Sequence, residues 1–61
     1  MLKPGDILKD NADGTYILLL KEKFIDTLAG TTVEWIVFDI YENEVCYCYE
    51  GILESFYRKV E

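Results

Sequence analysis

The sequence predicts a small, mainly β domain: a five-stranded antiparallel barrel with one short helical turn near the C-terminus. Three observations support this fold class. Apolar residues make up 51% of the 61 residues and extend along the whole chain. Turn signals divide the chain into short β-prone segments. Helical spacing of apolar residues occurs near the C-terminal end. A chain of this length forms one small core, so we treat residues 1–61 as a single domain.

The first half of the chain predicts two strands. A Pro-Gly turn precedes the first strand, which we place at residues 6–9. The Asp-Gly pair at 13–14 suits a tight turn with positive φ. Residues 15–22 then form the second strand, whose apolar run does not alternate and so favours cover on both faces. Residues 23–31 allow two interpretations, an extension of the second strand or an irregular loop.

The segment at 33–41 has a clear strand pattern, because it is rich in Val, Ile and aromatic residues. Alternation separates two sets of side chains. One set contains Ile36, Phe38 and Ile40, and the other contains Trp35, Val37, Asp39 and Tyr41. An unpaired carboxylate is costly to bury, so the set with Asp39 is expected outside and the other set in the core.

The last third of the chain predicts a hairpin partner, a helical turn and a final strand. A polar turn at 42–44 leads into a fourth strand at 45–50, which Gly51 ends. Apolar residues within 52–57 have the spacing of one or two helical turns. Val60 is a candidate for a short last strand.

Cys46 and Cys48 are the nearest approach to a chemical motif. Two residues apart on a strand, their Cβ atoms lie about 6.5 to 7 Å apart, whereas a disulfide needs about 3.8 Å. Structural zinc takes four Cys or His ligands, and the chain has two cysteines and no histidine. We interpret both thiols as small apolar fillers facing the core. A site shared between two chains and a redox role remain alternatives.

The residue inventory argues against catalysis. The chain has no histidine to serve as a base near neutral pH, no Ser-His or Cys-His arrangement, and no glycine-rich phosphate loop. Glu42 and Glu44 lie in a turn, where both are expected to be solvated. We therefore expect a protein that is not an enzyme and that takes no cofactor and no metal.

Charge limits the classes of partner. Twelve acidic and six basic residues give a net charge of −6, which disfavours direct contact with nucleic acid or with an anionic membrane. No apolar run approaches the about 20 residues of a membrane span, and the N-terminus lacks the apolar core of a signal peptide. A cytoplasmic protein is the expectation.

The order of motifs resembles that of small SH3-like barrel proteins from bacteriophages and prophages. The resemblance rests on the segments KPGDIL, DGTYIL, WIVF and LESFYRKV. Gly5-Asp6 opens the first strand, and Leu53–Phe56 precedes the last strand. The resemblance implies a compact SH3-like barrel that binds something in the bacterial host cytoplasm. The ALYDY-type sequence of peptide-binding SH3 domains is missing, which argues against proline-peptide recognition.

An aromatic surface on the third and fourth strands is the predicted functional site. If the cysteines face inward, apolar residues cover the outside of these strands: Trp35, Val37, Tyr41, Tyr47 and Tyr49. Acidic neighbours would form its rim: Asp39, Glu42 and Glu44. Such a patch is typical of a protein interface, with a protein partner or a second copy in a homodimer. The alternatives are a loop at 23–31 that covers the aromatics, an acidic DNA-mimic inhibitor of a host nucleic-acid-binding or defence protein, and a small structural virion component.

Overall fold

The computed structural model describes residues 1–60 and contains five strands and one short helix. In chain order these are β1 (Ile7–Asp10), β2 (Tyr16–Thr27), β3 (Gly30–Asp39), β4 (Glu44–Tyr49), α1 (Glu50–Phe56) and β5 (Tyr57–Lys59). The strands pair antiparallel in the order β4-β3-β2-β1-β5. The predicted five-stranded, mainly β fold with one short helix is confirmed. β4 and β5 are the two edges, and no ladder joins them within the described residues, so the sheet is open between them.

Residues 23–31, for which the sequence allowed either a strand or a loop, form strand on both sides of a tight turn. β2 and β3 stay paired as far as Thr27 and Gly30, and only Leu28 and Ala29 connect them. The Thr27 hydroxyl stabilises the turn by accepting from the backbone N–H of Ala29 and donating to the carbonyl of Gly30. Gly30 has a φ of 120°, a conformation that L side chains rarely adopt. This segment therefore lengthens the hairpin.

One extra residue interrupts the ladder between β2 and β3. Leu19 pairs with Val37, but the next pair is Lys21 with Ile36, which leaves Leu20 as a β-bulge. A bulge bends its strand and increases the local twist. It also shifts the alternation, because Ile17 and Leu19 face the core before it while Glu22, opposite Trp35, faces that side after it.

The predicted faces of β3 are reversed in the structure. Trp35 and Val37 are buried, with 0% and 3% of their surface exposed, whereas Ile36 and Phe38 are half-buried on the opposite face. The predicted core position of Ile40, just past the strand, is 48% exposed. The prediction was wrong because it used Asp39 to choose the face. That residue ends the strand, and its carboxylate remains solvated enough to accept the Glu42 N–H at 3.0 Å.

The core lies between the inner face of the sheet and α1. Its fully buried members come from β1, β2, β3 and the helix: Leu8, Ile17, Leu19, Trp35, Val37 and Leu53. Leu53 is the buried residue of α1, while its neighbour Ile52 is 45% exposed. The helix begins at Glu50 and includes Gly51, the residue predicted to end the fourth strand. Its short length agrees with its role of covering one end of the core.

A single hydrogen bond links the largest core side chain to the helix. The indole N–H of Trp35 donates to Oε1 of Glu50 at 3.1 Å. A buried indole N–H requires an acceptor, and Glu50 supplies one from the first turn of α1. No side-chain hydrogen bond caps this helix, whose N-cap residue is Tyr49. The contact with Trp35 and the burial of Leu53 therefore position α1.

Asp6 anchors the N-terminal segment. Its buried carboxylate accepts the backbone N–H of Lys3 at 2.9 Å and pairs with the Lys59 ammonium at 3.4 Å. Burial by itself raises the pKa of this carboxyl, but the Lys3 N–H and the Lys59 ammonium outweigh it and hold the pKa below the ordinary 3.8. The backbone N–H of Gly5 donates to the carbonyl of Leu19, and the carbonyl of Asp6 accepts the N–H of Leu19. Asp6 therefore connects the N-terminal segment with β2 and, through Lys59, with β5.

The Trp35–Glu50 bond predicts unequal effects of two substitutions at position 50. Glu50→Ala leaves the buried indole N–H without an acceptor and is expected to lower the free energy of unfolding by about 1–3 kcal/mol. Glu50→Gln keeps an acceptor and is expected to cost less. Urea unfolding followed by the fluorescence of Trp35, the single tryptophan, measures both values. Equal losses in the two variants would show that the bond does not stabilise the fold.

Asp6 predicts a pH-dependent contribution to stability. Because its folded pKa is lowered, the ionised carboxylate stabilises the fold above the ordinary pKa of 3.8, and the effect is lost as pH falls through the lower folded value. Wild type should therefore exceed Asp6→Asn in unfolding free energy at pH 7, and the difference should shrink from pH 4 to pH 2. Lys59→Gln should show a smaller loss, since the Lys3 N–H remains. A difference between wild type and Asp6→Asn that does not change with pH would contradict this role.

Candidate functional site

The two thiols of β4 lie on the inner face of the sheet. Cys46 stands opposite Val37, and Cys48 stands opposite Trp35. Both cysteines are half-buried and packed against the core, whereas Tyr47 between them is 64% exposed. The predicted orientation, with the cysteines inward and the tyrosines of this strand outward, is confirmed.

The environment of the thiols suppresses their reactivity. Burial raises the pKa of Cys46 above the ordinary 9.0, and the carboxylates of Glu44, Asp39 and Glu42 raise it further. Burial likewise raises the pKa of Cys48, with added effects from Cys46 and Glu34. Both cysteines are free, and no three potential metal ligands cluster in the part of the chain that the structure describes. The arrangement therefore keeps the sulfur atoms protonated near neutral pH.

The outer face of the sheet carries a row of apolar side chains, which we call the apolar stripe. Val45, Phe38, Leu18 and Ile7 are consecutive cross-strand partners on β4, β3, β2 and β1. Val60 continues the row beyond β5, because its backbone N–H donates to the carbonyl of Ile7. Val45, Ile7 and Val60 are exposed, and Leu18 and Phe38 are half-buried.

Aromatic and aliphatic residues widen the apolar stripe on both sides. Toward the β2–β3 turn, Tyr47 pairs with Ile36, and the bulge residue Leu20 is 42% exposed. Toward the β3–β4 turn, Tyr16 and Ile40 are exposed and joined by a backbone hydrogen bond. A contiguous apolar surface of this kind on a small protein usually marks an interaction site.

The structure places some of the residues predicted for the functional site on the surface and others in the core. Tyr47 and Tyr49 lie on the outer face, and Tyr41 is 75% exposed in the β3–β4 turn. Trp35 and Val37 are core residues, so the prediction that they belong to the exposed surface was wrong. The structure adds outer-face residues that were missed: Ile7, Leu18, Ile36, Phe38, Val45 and Val60. Val45 and Tyr47 are two residues apart on one strand and therefore share a face, so this spacing could have identified Val45 as an outer-face residue.

The predicted acidic residues lie at one end of the sheet. Asp39 and Glu44 are opposite each other where β3 and β4 meet their turn, and Glu42 is exposed within that turn. Asp10 ends β1 opposite Tyr57 of β5, and Asp13 lies in the β1–β2 turn. Burial raises the pKa of the Tyr57 hydroxyl above its ordinary 10.0, and Asp10, Cys48, Asp13 and Asp39 add to the effect.

Basic residues predominate on the outer face. Lys9 and Arg58 are opposite each other across β1 and β5, next to Tyr16. Lys21 is opposite Ile36, and Lys23 is opposite Glu34, the acidic residue that the strand registers place on this face. Basic groups therefore lie beside the apolar stripe along the strands, while the predicted acidic residues lie at its β3–β4 turn end.

Two cavities flank the core and the stripe. One of about 480 Å³ lies between the N-terminal segment and the far half of the β2–β3 hairpin, with Phe24, Val33, Glu22, Glu50 and Glu54 among its lining residues. The other, of about 350 Å³, lies beside the apolar stripe at β1 and β5. The outer face therefore combines an apolar surface with a shallow concave site.

No protein-family model, curated protein or solved structure matches the chain. Among the described residues, no helix has the length and apolar character needed to cross a membrane.

The thiol environment predicts slow alkylation of the native protein. At pH 8, iodoacetamide should modify Cys46 and Cys48 more slowly in the folded chain than in the chain unfolded by urea, because a raised pKa lowers the thiolate fraction. Mass spectrometry over time measures both rates. The native rate should continue to rise with pH beyond 9, whereas a plateau near pH 8 would contradict the raised pKa.

Proposed function

We propose that this chain is a non-enzymatic protein-binding domain that docks on another protein through the outer face of its sheet. The observation that carries the proposal is the apolar stripe, which crosses the sheet from Val45 to Val60 and has Val45, Ile7 and Val60 exposed. Exposed tyrosines beside it belong to a residue type enriched at binding hot spots. A surface that has apolar and aromatic residues at its centre and charges at its border has the anatomy of a protein interface.

The charges of the outer face favour a different protein over a second copy. Among the strand residues that the structure describes, four basic side chains share the outer face with the stripe, Lys9, Lys21, Lys23 and Arg58, against one acidic side chain, Glu34. Two copies docked by this same face would place like charges near each other, which is unfavourable. A partner with an apolar surface and acidic borders is complementary. A rim made only of acidic residues would instead have favoured a partner with basic borders.

We also infer that the five strands form an SH3-like barrel, in which the bulge at Leu20 bends the sheet and α1 covers one end. The return of β5 to pair with β1 supports this layout. The resemblance to phage-type barrels favours a phage- or prophage-encoded protein that acts on a host or phage protein in the bacterial cytoplasm.

Mimicry of DNA receives less support from the acidic residues. That hypothesis requires Asp39, Glu42, Glu44, Glu50 and Glu54 to share one face. Glu50 binds the indole of Trp35 and lines, with Glu54, the cavity beside the N-terminal segment. Asp39, Glu42 and Glu44 belong to the β3–β4 turn and its flanks. The acidic groups therefore form separate clusters.

Two aromatic residues of equal exposure allow a matched test. Tyr47, on the outer face, is 64% exposed, and Phe24, on the opposite face, is 65% exposed. Wild type, Tyr47→Ala and Phe24→Ala should be used as tagged baits in a bacterial lysate, with captured proteins quantified by mass spectrometry. The protein retained by wild type and Phe24→Ala, but depleted with Tyr47→Ala, is then purified and titrated calorimetrically. Tyr47→Ala is expected to weaken its binding about tenfold or more.

Three results would count against this function. Capture that depends on Phe24 and not on Tyr47 would place the site on the opposite face. Capture that neither variant changes would show that the outer face is not used. A dimer in sedimentation equilibrium that Tyr47→Ala dissociates would identify a second copy as the occupant and overturn the proposed heterologous partner.

A further inference from the structure

The 350 Å³ cavity beside the apolar stripe is basic in a strongly acidic protein. Lys9, Tyr16, Arg58, Lys59 and Val60 line it, so half of the six basic residues of the chain meet there. No acidic side chain among residues 1–60 lines it. Of the three cations that line the cavity, Lys59 pairs with Asp6, whereas Lys9 and Arg58 form no ion pair with residues 1–60. These two residues are direct cross-strand neighbours, an arrangement of like charges that is unfavourable unless an anion joins them.

The Lys9 side chain is held in place before any ligand binds. Its Nζ lies over the ring of Tyr16, 5.6 Å from the centroid. Its Cε lies 3.6 Å from the position that a Cβ would take on Gly14, so the stem passes close to the β1–β2 turn. Proximity to the aromatic ring and to the β1–β2 turn reduces the rotamer freedom that binding would otherwise remove. The cation is therefore preorganised at the cavity.

The nearest acidic residues are engaged by the turn. Oδ1 of Asp10 accepts the backbone N–H of Ala12 at 2.7 Å and that of Asp13 at 3.3 Å. Oδ1 of Asp13 accepts the Thr15 N–H at 2.9 Å and its hydroxyl at 2.7 Å. These bonds lower the pKa of Asp13 below the ordinary 3.8 and direct its carboxylate to the turn. Lys9 is left free to bind an external anion.

We propose that this cavity binds a carboxylate side chain within an acidic, partly apolar peptide segment of the partner. Lys9 and Arg58 would bind the carboxylate, and the guanidinium of Arg58 can do so with two parallel hydrogen bonds. Val60 joins the cavity to the apolar stripe, so apolar residues next to the carboxylate would lie on the stripe. The inference rests on the proposed protein-binding function and specifies the chemistry of the partner.

A defined peptide pair tests the inference on the whole chain. The probe is the blocked tetrapeptide Glu-Leu-Glu-Leu, and its control replaces both glutamates with glutamine. Each is titrated into the ¹⁵N-labelled protein, with amide shifts followed at Lys9, Tyr16, Arg58 and Val60. A net charge of −6 repels the acidic peptide at long range, so tighter binding of the acidic form requires a local cationic site. The preference should weaken with added salt.

Matched substitutions locate the site. Arg58→Gln and Lys9→Gln are each expected to reduce affinity for the acidic peptide about two- to fivefold, the range for partly exposed ion pairs. Lys3→Gln, which removes an exposed cation at the other cavity and away from the outer face, should leave the affinity unchanged. Dispersion of the amide spectrum verifies that each variant is folded.

Four outcomes overturn the inference. They are equal binding of the acidic and glutamine peptides, no saturable binding of either, a loss in Lys3→Gln equal to that in Arg58→Gln, and equally tight binding of inorganic phosphate at the same amides. Failure here together with Tyr47-dependent capture would leave the proposed function standing. Binding at the cavity without Tyr47-dependent capture would instead overturn the proposed docking function.

Discussion

The burial of Trp35 is the constraint on which the rest of the molecule depends. Its indole lies at the centre of β3, fully buried, and an indole that is removed from water needs an acceptor for its N–H. Glu50 supplies that acceptor from the start of α1, fifteen residues later in the chain. The bond ties the helix to the inner face, and Leu53 then closes the core. Once Trp35 faces inward, alternation directs Ile36 and Phe38 to the outside, so the same choice determines the composition of the outer face.

Local pattern predicted most elements of the fold and the orientation of one strand. Turn signals and β-prone segments indicated five strands and a helical turn, and the sizes of cysteine and tyrosine side chains indicated the faces of β4. The faces of β3 could not be obtained in this way. The contact that favours the inward orientation of Trp35 is long-range, because Glu50 lies fifteen residues later in the chain. Asp39 indicated the wrong face because a carboxylate at a strand end can accept a turn N–H without deep burial. The reversed face removed Trp35 and Val37 from the predicted surface.

The net charge conceals a separation of charge within the sheet. Carboxylates lie at the β3–β4 turn, at the β1–β2 turn and beside the N-terminal segment, whereas the strands of the outer face carry mainly lysines and one arginine. Composition gives only the average sign of the surface, which is why an acidic rim was expected at the candidate site. Separate regions of opposite sign allow a chain with a net charge of −6 to carry basic groups on one face.

The bulge at Leu20 has a consequence for how this chain is aligned with others. Before it, the odd-numbered residues of β2 lie on the inner face of the sheet; after it, the even-numbered residues do, as the pairs of Leu19 with Val37 and Glu22 with Trp35 show. An alignment by alternation that runs unbroken through β2 would therefore match inner-face positions to outer-face positions along half of the strand. A relative with a regular second strand differs from this one by a single-residue gap at Leu20, and the alignment is correct only where that gap is opened.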